Sequence, residues 1–167
     1  EADIRIMPYE GEPGDKTVAL IARWRAERPT AKPILLMAHM DVVEAKREDW
    51  QHDPFVFRHE GGFYMGRGVV DNKAAMVALI LALQRLDSAG FTPARDIVML
   101  LTGDEETAQN GARLASTEWK DLIDAEYALN SDAGWGGILP GGKVDYFGIQ
   151  VAEKLYADYS FTATNRG

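Results

Sequence analysis

Apolar and polar positions alternate with two different periods along this chain, and the switches between them mark out its elements. Asp3 to Ile6 alternates polar and apolar, Met7-Pro8-Tyr9 closes the run, and GEPGD follows with two glycines and a proline, so a strand and a turn are expected. Thr17 to Trp24 (TVALIARW) is apolar and partly β-branched and reads as a second strand, with a short helix over VALIARWRAE as the alternative. A polar connector, RAERPTAKP, leads to Pro33 and the buried run ILLMAH. Val42 to Gln51 is a charged loop, and Phe55-Val56-Phe57 and Phe63-Tyr64-Met65 flank a Gly pair in the manner of a hairpin.

The period then changes. NKAAMVALILALQRLDSAG predicts about four helical turns, apolar on most faces and ending at Gly90 with Pro93 beyond it. RDIVMLLT is a continuous apolar run of strand length, GARLASTEWKDLI suits a helix, and AEYALN a further strand. GWGGILPGG is turn-like, and two more strands are expected over YFGIQVAEK and LYADYSFTA. Strands alternating with helices predict an α/β three-layer sandwich with a mostly parallel central sheet flanked by helices, in which sites gather at the carboxyl ends of strands.

Those strand ends carry the polar groups. ILLMAH delivers His39 with Asp41 two residues on, and in a strand that spacing puts both side chains on one face, where a carboxylate can fix the tautomer of a metal-binding imidazole. A Gly-Arg-Gly turn delivers Asp71 to a helix start. The run IVMLLT empties into Gly103-Asp104-Glu105-Glu106, and AEYALN into Ser131-Asp132. A two-metal site needs a carboxylate that reaches both ions, a task suited to Asp71, and a Glu pair can divide ligation from proton transfer.

Composition narrows the chemistry. The 167 residues, 46% hydrophobic and 26% charged, suit one soluble globular domain. Eighteen basic against 26 acidic residues give −8, which disfavours nucleic acid and anionic membranes and suits metal cations and small substrates. With no cysteine, any zinc must sit on His, Asp and Glu. No apolar run reaches a membrane span. The first residues, EADIRIMPYE, lack a signal core and begin without Met, so earlier residues are expected, and the compartment is left open between cytoplasmic and periplasmic or secreted.

HMD, then GRG with Asp three residues on and Lys after it, then TGDEE, then the acid of NSDAG resemble, in order and over nearly the whole chain, the M20 metallopeptidases, a family that includes carboxypeptidases, aminoacylases, deacylases and carnosinase-type dipeptidases. The resemblance implies hydrolysis of amide bonds in dipeptides, C-terminal residues or N-acyl amino acids by a metal-activated water. It implies His39 and Asp132 on one zinc (or cobalt), Asp71 bridging to a second held by Glu106, Glu105 as general base, Asp41 orienting His39, and a cis peptide at Asp71-Asn72. It also implies a homodimer for the full-length protein. The family's last zinc ligand, a late His, and its Gly-His motif have no counterpart here, and Ala74-Ala75 stand where glycine is common. Residues 1–167 therefore resemble a partial catalytic domain without its lid and C-terminal part, expected to hold one ion or fewer alone. Two alternatives stand beside the hydrolase: a fragment inactive by itself, and a promiscuous esterase or lactamase.

Each residue also has a plainer reading. His39 suits a core histidine, Asp71 a helix N-cap, Glu105 and Glu106 an acidic loop, and Asp132 ordinary turn chemistry. His52 and His59 read as surface residues, Arg67 as structural, and Trp50, Phe55 and Phe57 as cover for the core.

Overall fold

The structure is a computed structural model that describes residues 2–132, 136–152, 157 and 159–165. It divides into two compact units, residues 1–132 and 133–167. Strands β1 (Asp3–Glu10), β2 (Lys16–Trp24), β3 (Ile34–His39), β6 (Ile97–Thr102) and β7 (Tyr127–Asn130) form one sheet in the order β1-β2-β6-β3-β7. A small hairpin, β4 (Arg58–Glu60) and β5 (Phe63–Met65), lies between β3 and helix α1 (Ala75–Ser88); α2 (Asn110–Ser116) and α3 (Lys120–Ile123) separate β6 from β7. No helix among the described residues is long and apolar enough to cross a membrane.

The parallel centre expected from the sequence is present, since β3 runs parallel to both β6 and β7. The sheet as a whole is mixed, because β1 and β2 pair antiparallel and β2 pairs antiparallel with β6. A tight turn at residues 11–15, closed by Gly11 N–H donating to Asp15 O at 2.9 Å, permits only antiparallel pairing of β1 with β2. TVALIARW is thus a strand throughout.

Central β6 is buried at every residue, as a strand covered on both faces must be. Val98 and Leu100 join Ala19, Ile21, Leu35 and Ala115 on one face, against Trp119, Leu122 and Ile123. Met99 and Leu101 join Ala38 on the other, beneath α1. Helices on both faces make the three layers. Fully burying a residue such as Leu100 contributes about 1.5–3 kcal/mol.

Helix α1 packs through Met76, Leu79, Ile80 and Leu83, the i, i+3, i+4, i+7 stripe of a single buried face. Its other apolar residues Val77 and Leu81 are each 46% exposed, so the helix is apolar on more sides than it buries. The single helix expected over GARLASTEWKDLI is broken into α2 and α3, with Trp119 N–H donating back to Leu114 O at 2.9 Å across the break. The hairpin is found around Gly61 and Gly62, whose φ of 60° and 82° suit the tight turn between β4 and β5, but its first strand is Arg58–Glu60 rather than Phe55–Phe57.

In the second unit, β8 (Gly136–Ile138) pairs antiparallel with β9 (Val144–Phe147). Part of the turn-like GWGGILPGG stretch is therefore strand, and the turn itself falls at Gly141-Gly142, with φ of 90° and 81°. Only the start of YFGIQVAEK is extended into β9. LYADYSFTA lies partly outside the described residues, and its described residues, 157 and 159–163, form no strand.

Candidate metal centre

Register brings the acids together. His39, the last residue of β3, is paired with Thr102, the last of β6, so the loop beginning at Gly103 leaves the sheet level with His39. On the other side Met37 pairs with Asn130, and continuing that register by two residues sets Asp132 beside His39. Ser131 secures the exit, since its N–H and hydroxyl each donate to Met37 O at 3.0 Å.

His39 is 1% exposed and touches acids on both sides of its ring. Nδ1 lies 3.2 Å from the Asp41 carbonyl oxygen and 3.4 Å from Asp41 Oδ1. Nε2 lies 2.9 Å from Asp71 Oδ1 and 3.3 Å from Asp132 Oδ1. The strand stops at His39, so Asp41 does not reach the ring by strand alternation; it is bent back beyond the strand end, and its backbone carbonyl is the nearer group. Its Oδ2 accepts the Glu106 N–H at 2.9 Å and ties the end of β3 to the Glu105-Glu106 loop, leaving Oδ1 buried without a hydrogen-bond partner.

Asp71 sits in an irregular turn, Val69–Ala74, with φ −106° and ψ 102°, before the regular helix begins at Ala75. It caps nothing, and its side chain is 62% exposed and turned toward the imidazole. The Asp71-Asn72 peptide is cis. Asn72 is 2% exposed and donates through Nδ2 to Asp132 Oδ1 at 2.8 Å, holding that acid in place. In the sequence Asn72 stands out only through the cis bond that the family resemblance implies, because its contact with Asp132 spans 60 residues and leaves no local signal.

Glu105 accepts a hydrogen bond from Gln109 Nε2 at 3.1 Å. Neighbouring Asp104 points the opposite way, is 3% exposed, and accepts from Tyr9 Oη at 2.6 Å, Asn110 N–H at 2.7 Å and Gly111 N–H at 3.0 Å. It fastens the acidic loop to β1 and to the start of α2, a role hidden in the TGDEE motif because its partner Tyr9 lies 95 residues away.

Two groups of ligand atoms emerge, each within 4.8 Å: His39, Asp71 and Glu106, and His39, Glu105 and Asp132. Five of the residues singled out in the sequence thus meet in these groups, and Asp41 joins them through His39 Nδ1 and the Glu106 N–H. His52 and His59 belong to neither group; both are exposed, and the His59 ring stacks on Tyr64 at 4.5 Å. Phe55 and Phe57 do not cover the core, each being 63% exposed.

The chemistry of the donor set fits a cation. With the Nδ1 proton given to the Asp41 carbonyl, Nε2 offers only a lone pair to Asp71 and Asp132, which also offer only lone pairs. In that tautomer a proton or a metal ion is needed between the imidazole and Asp71, while Asp132 also accepts from Asn72. Burial opposes charging His39, yet Asp132, Asp71, Asp41 and Glu105 together raise its pKa above 6.5. Glu105 is pushed above 4.5 by burial and then by Asp132, Glu106 and Asp41, against the pull of His39. Glu106 is raised by burial and by Asp71, Asp41 and Asp132. Like charges crowded in this way are relieved by a bound cation.

The model of peptidase family M20/M25/M40 matches residues 35–162. Carboxypeptidase S of Saccharomyces cerevisiae is 34% identical over 158 residues, covering 90% of this chain and 27% of that protein. The N-fatty-acyl-amino acid synthase/hydrolase PM20D1 of Mus musculus is 39% identical over 89 residues, 53% of this chain and 18% of that protein. Among solved structures, human carnosine dipeptidase 1 superposes with a TM-score of 0.69 at 24% identity, covering 80% of this chain and 30% of that one, a likeness of fold. The chain spans less than a third of the length of the relatives named here.

Proposed function

The chain belongs to peptidase family M20/M25/M40, and from that premise we propose that it supplies ion-holding and proton-transfer groups of a metal-dependent hydrolase of amide bonds, acting on small peptides or N-acyl amino acids. The observation that carries this reading is the convergence of His39, Asp71, Glu105, Glu106 and Asp132 into two sets of ligand atoms, each within 4.8 Å. The names of the relatives point the same way, since one is a carboxypeptidase and another a hydrolase of fatty-acyl amino acids.

His39 and Asp132 would hold one zinc or cobalt ion, and Asp71 would reach from it to a second held by Glu106. Such ions act as Lewis acids, lowering the pKa of water from 15.7 to about 7 and polarising a carbonyl. The remaining groups of the chain prepare the site. Asp41 fixes the imidazole through Nδ1, and Asn72 holds Asp132 at 2.8 Å. Glu105, steadied by Gln109 and held above its ordinary value by burial and neighbouring acids, takes a proton from the nucleophile and returns it to the leaving amine.

A second reading is favoured by one specific feature. Both ligand groups draw on His39, so the residues described here fill one ion's coordination more readily than two. In this reading the chain by itself holds a single ion and is inactive. Zinc titration and hydrolysis of dipeptides and N-acyl amino acids by the full-length protein test the proposal. Chelator-sensitive turnover is the expected result, and turnover indifferent to chelator would sink it.

A further inference from the structure

One member of the motif that runs from the Gly-Arg-Gly turn through Asp71 stands outside both groups of ligand atoms: Lys73, two residues beyond the acid. Its side chain lines a cavity of about 490 Å³ beside the site, together with Val42, Phe55, Phe57 and Val69. Its Nζ donates to Met40 O at 2.5 Å. A lysine that served only to offset the acids gathered here would sit on one of them. Among the described residues Lys73 forms no ion pair and takes a backbone carbonyl instead.

The place of that carbonyl gives the bond its consequence. Met40 lies between His39 and Asp41, and its N–H donates to Thr102 O at 2.7 Å while its carbonyl accepts from Lys73. Because the peptide unit is planar, holding the Met40 carbonyl sets the direction in which Asp41 leaves the strand end. Asp41 in turn serves two ligands: its carbonyl lies 3.2 Å from His39 Nδ1, and its Oδ2 accepts the Glu106 N–H at 2.9 Å. The backbone end of Lys73 is held as well, since its N–H donates to Gly68 O at 3.1 Å across the turn that carries Asp71. One side chain therefore joins two segments 33 residues apart, the exit of β3 with His39 and the turn with Asp71.

We propose that Lys73 is a positioning residue of the metal centre, a strut that sets the separation of His39 from Asp71 and, through Asp41, the place of Glu106. The inference rests on the metal-hydrolase reading and deepens it. It also reverses a sign. A cation beside a metal site repels the metal, so removing a lysine that acts by charge alone strengthens zinc binding. Removing a strut misplaces the ligands and weakens zinc binding, by the roughly 10–100-fold typical of groups that hold metal ligands in place.

The test is the zinc affinity of the full-length protein, measured by competition with a chelator, for the parent, Lys73→Met and Lys73→Arg, with circular dichroism to check folding. Methionine keeps an unbranched stem but offers no donor, and at least tenfold weaker binding is expected. Arginine restores a charged donor, and an affinity within about threefold of the parent is expected. Lys73→Gln, with a donor on a shorter stem, stands in if Lys73→Met does not fold, and the same tenfold loss is expected. Parent or tighter affinity in the donor-free or shortened variant overturns the proposal, and so does a tenfold loss in folded Lys73→Arg. Failure of the hydrolase reading is distinguishable: a parent protein that binds zinc but turns over no amide sinks that reading and leaves the affinity comparison standing.

Discussion

Replacing Asp104 by alanine removes the acceptor on which three donors from β1 and α2 converge. The carboxylate is 3% exposed and serves Tyr9 Oη at 2.6 Å, Asn110 N–H at 2.7 Å and Gly111 N–H at 3.0 Å. A buried donor left without a partner costs about 1–3 kcal/mol, so three would sum to roughly 3–9 kcal/mol; water entering the vacated space and the non-additivity of neighbours reduce this to about 3–5 kcal/mol. Tyr9→Phe deletes one of these bonds together with the Gly103 N–H bond to Tyr9 Oη at 3.2 Å, and about 1–2 kcal/mol is expected. Urea denaturation of the full-length protein measures both. Trp119 fluorescence supplies a local probe, because that indole meets the Tyr9 ring edge-on at 5.6 Å. The double variant is expected to cost less than the sum of the singles by more than 0.5 kcal/mol, since the Tyr9–Asp104 bond is then counted only once. A cost below about 1 kcal/mol for Asp104→Ala, or strict additivity of the pair, refutes the view that this acid anchors the Glu105-Glu106 loop.

Other expectations follow from the same geometry. Gly103→Ala would place a Cβ 2.5 Å from both Thr17 Oγ1 and Val18 O; because the latter is backbone and cannot swing away, a loss of about 2–3 kcal/mol is expected in urea denaturation. Asn72→Ala frees Asp132 from its 2.8 Å partner and is expected to weaken zinc binding by roughly 10-fold or more in isothermal titration. In the ion-free protein, Glu105 and Glu106 are raised from 4.5 and His39 from 6.5, so the folded state binds protons more tightly than the unfolded one. Their stabilising contribution is present below those values and is lost as pH rises through the raised ones. The urea midpoint of the ion-free protein is therefore expected to be higher at pH 5 than at pH 8, and added zinc to remove the difference.

Strand ends were the legible part of this molecule. The runs ILLMAH, IVMLLT and YALN are strands because they are apolar and short, and parallel pairing then sets His39, Glu105, Glu106 and Asp132 at one edge without long-range information. Illegible were the features made by contacts distant in sequence. The mixed character of the sheet depends on β2 choosing β6 as its second neighbour. The role of Asp104 depends on a hydroxyl from β1, and that of Asn72 on an acid after β7. Phe55 and Phe57 misled because large aromatic residues usually cover a core, whereas here they stand exposed, lining the cavity beside the site. The alternation that linked Asp41 to His39 gave the right neighbour by the wrong route, since the chain leaves the strand between them.

The division of labour between the two adjacent glutamates is the core of the functional account. Turnover of an N-acyl amino acid or dipeptide by the full-length Glu105→Gln variant, with zinc content measured on the same sample, tests it most directly. Zinc is expected to stay bound through His39, Asp71, Glu106 and Asp132, while turnover falls by roughly 10²–10⁴-fold for want of a proton carrier. Undiminished turnover by the zinc-loaded variant would contradict the account.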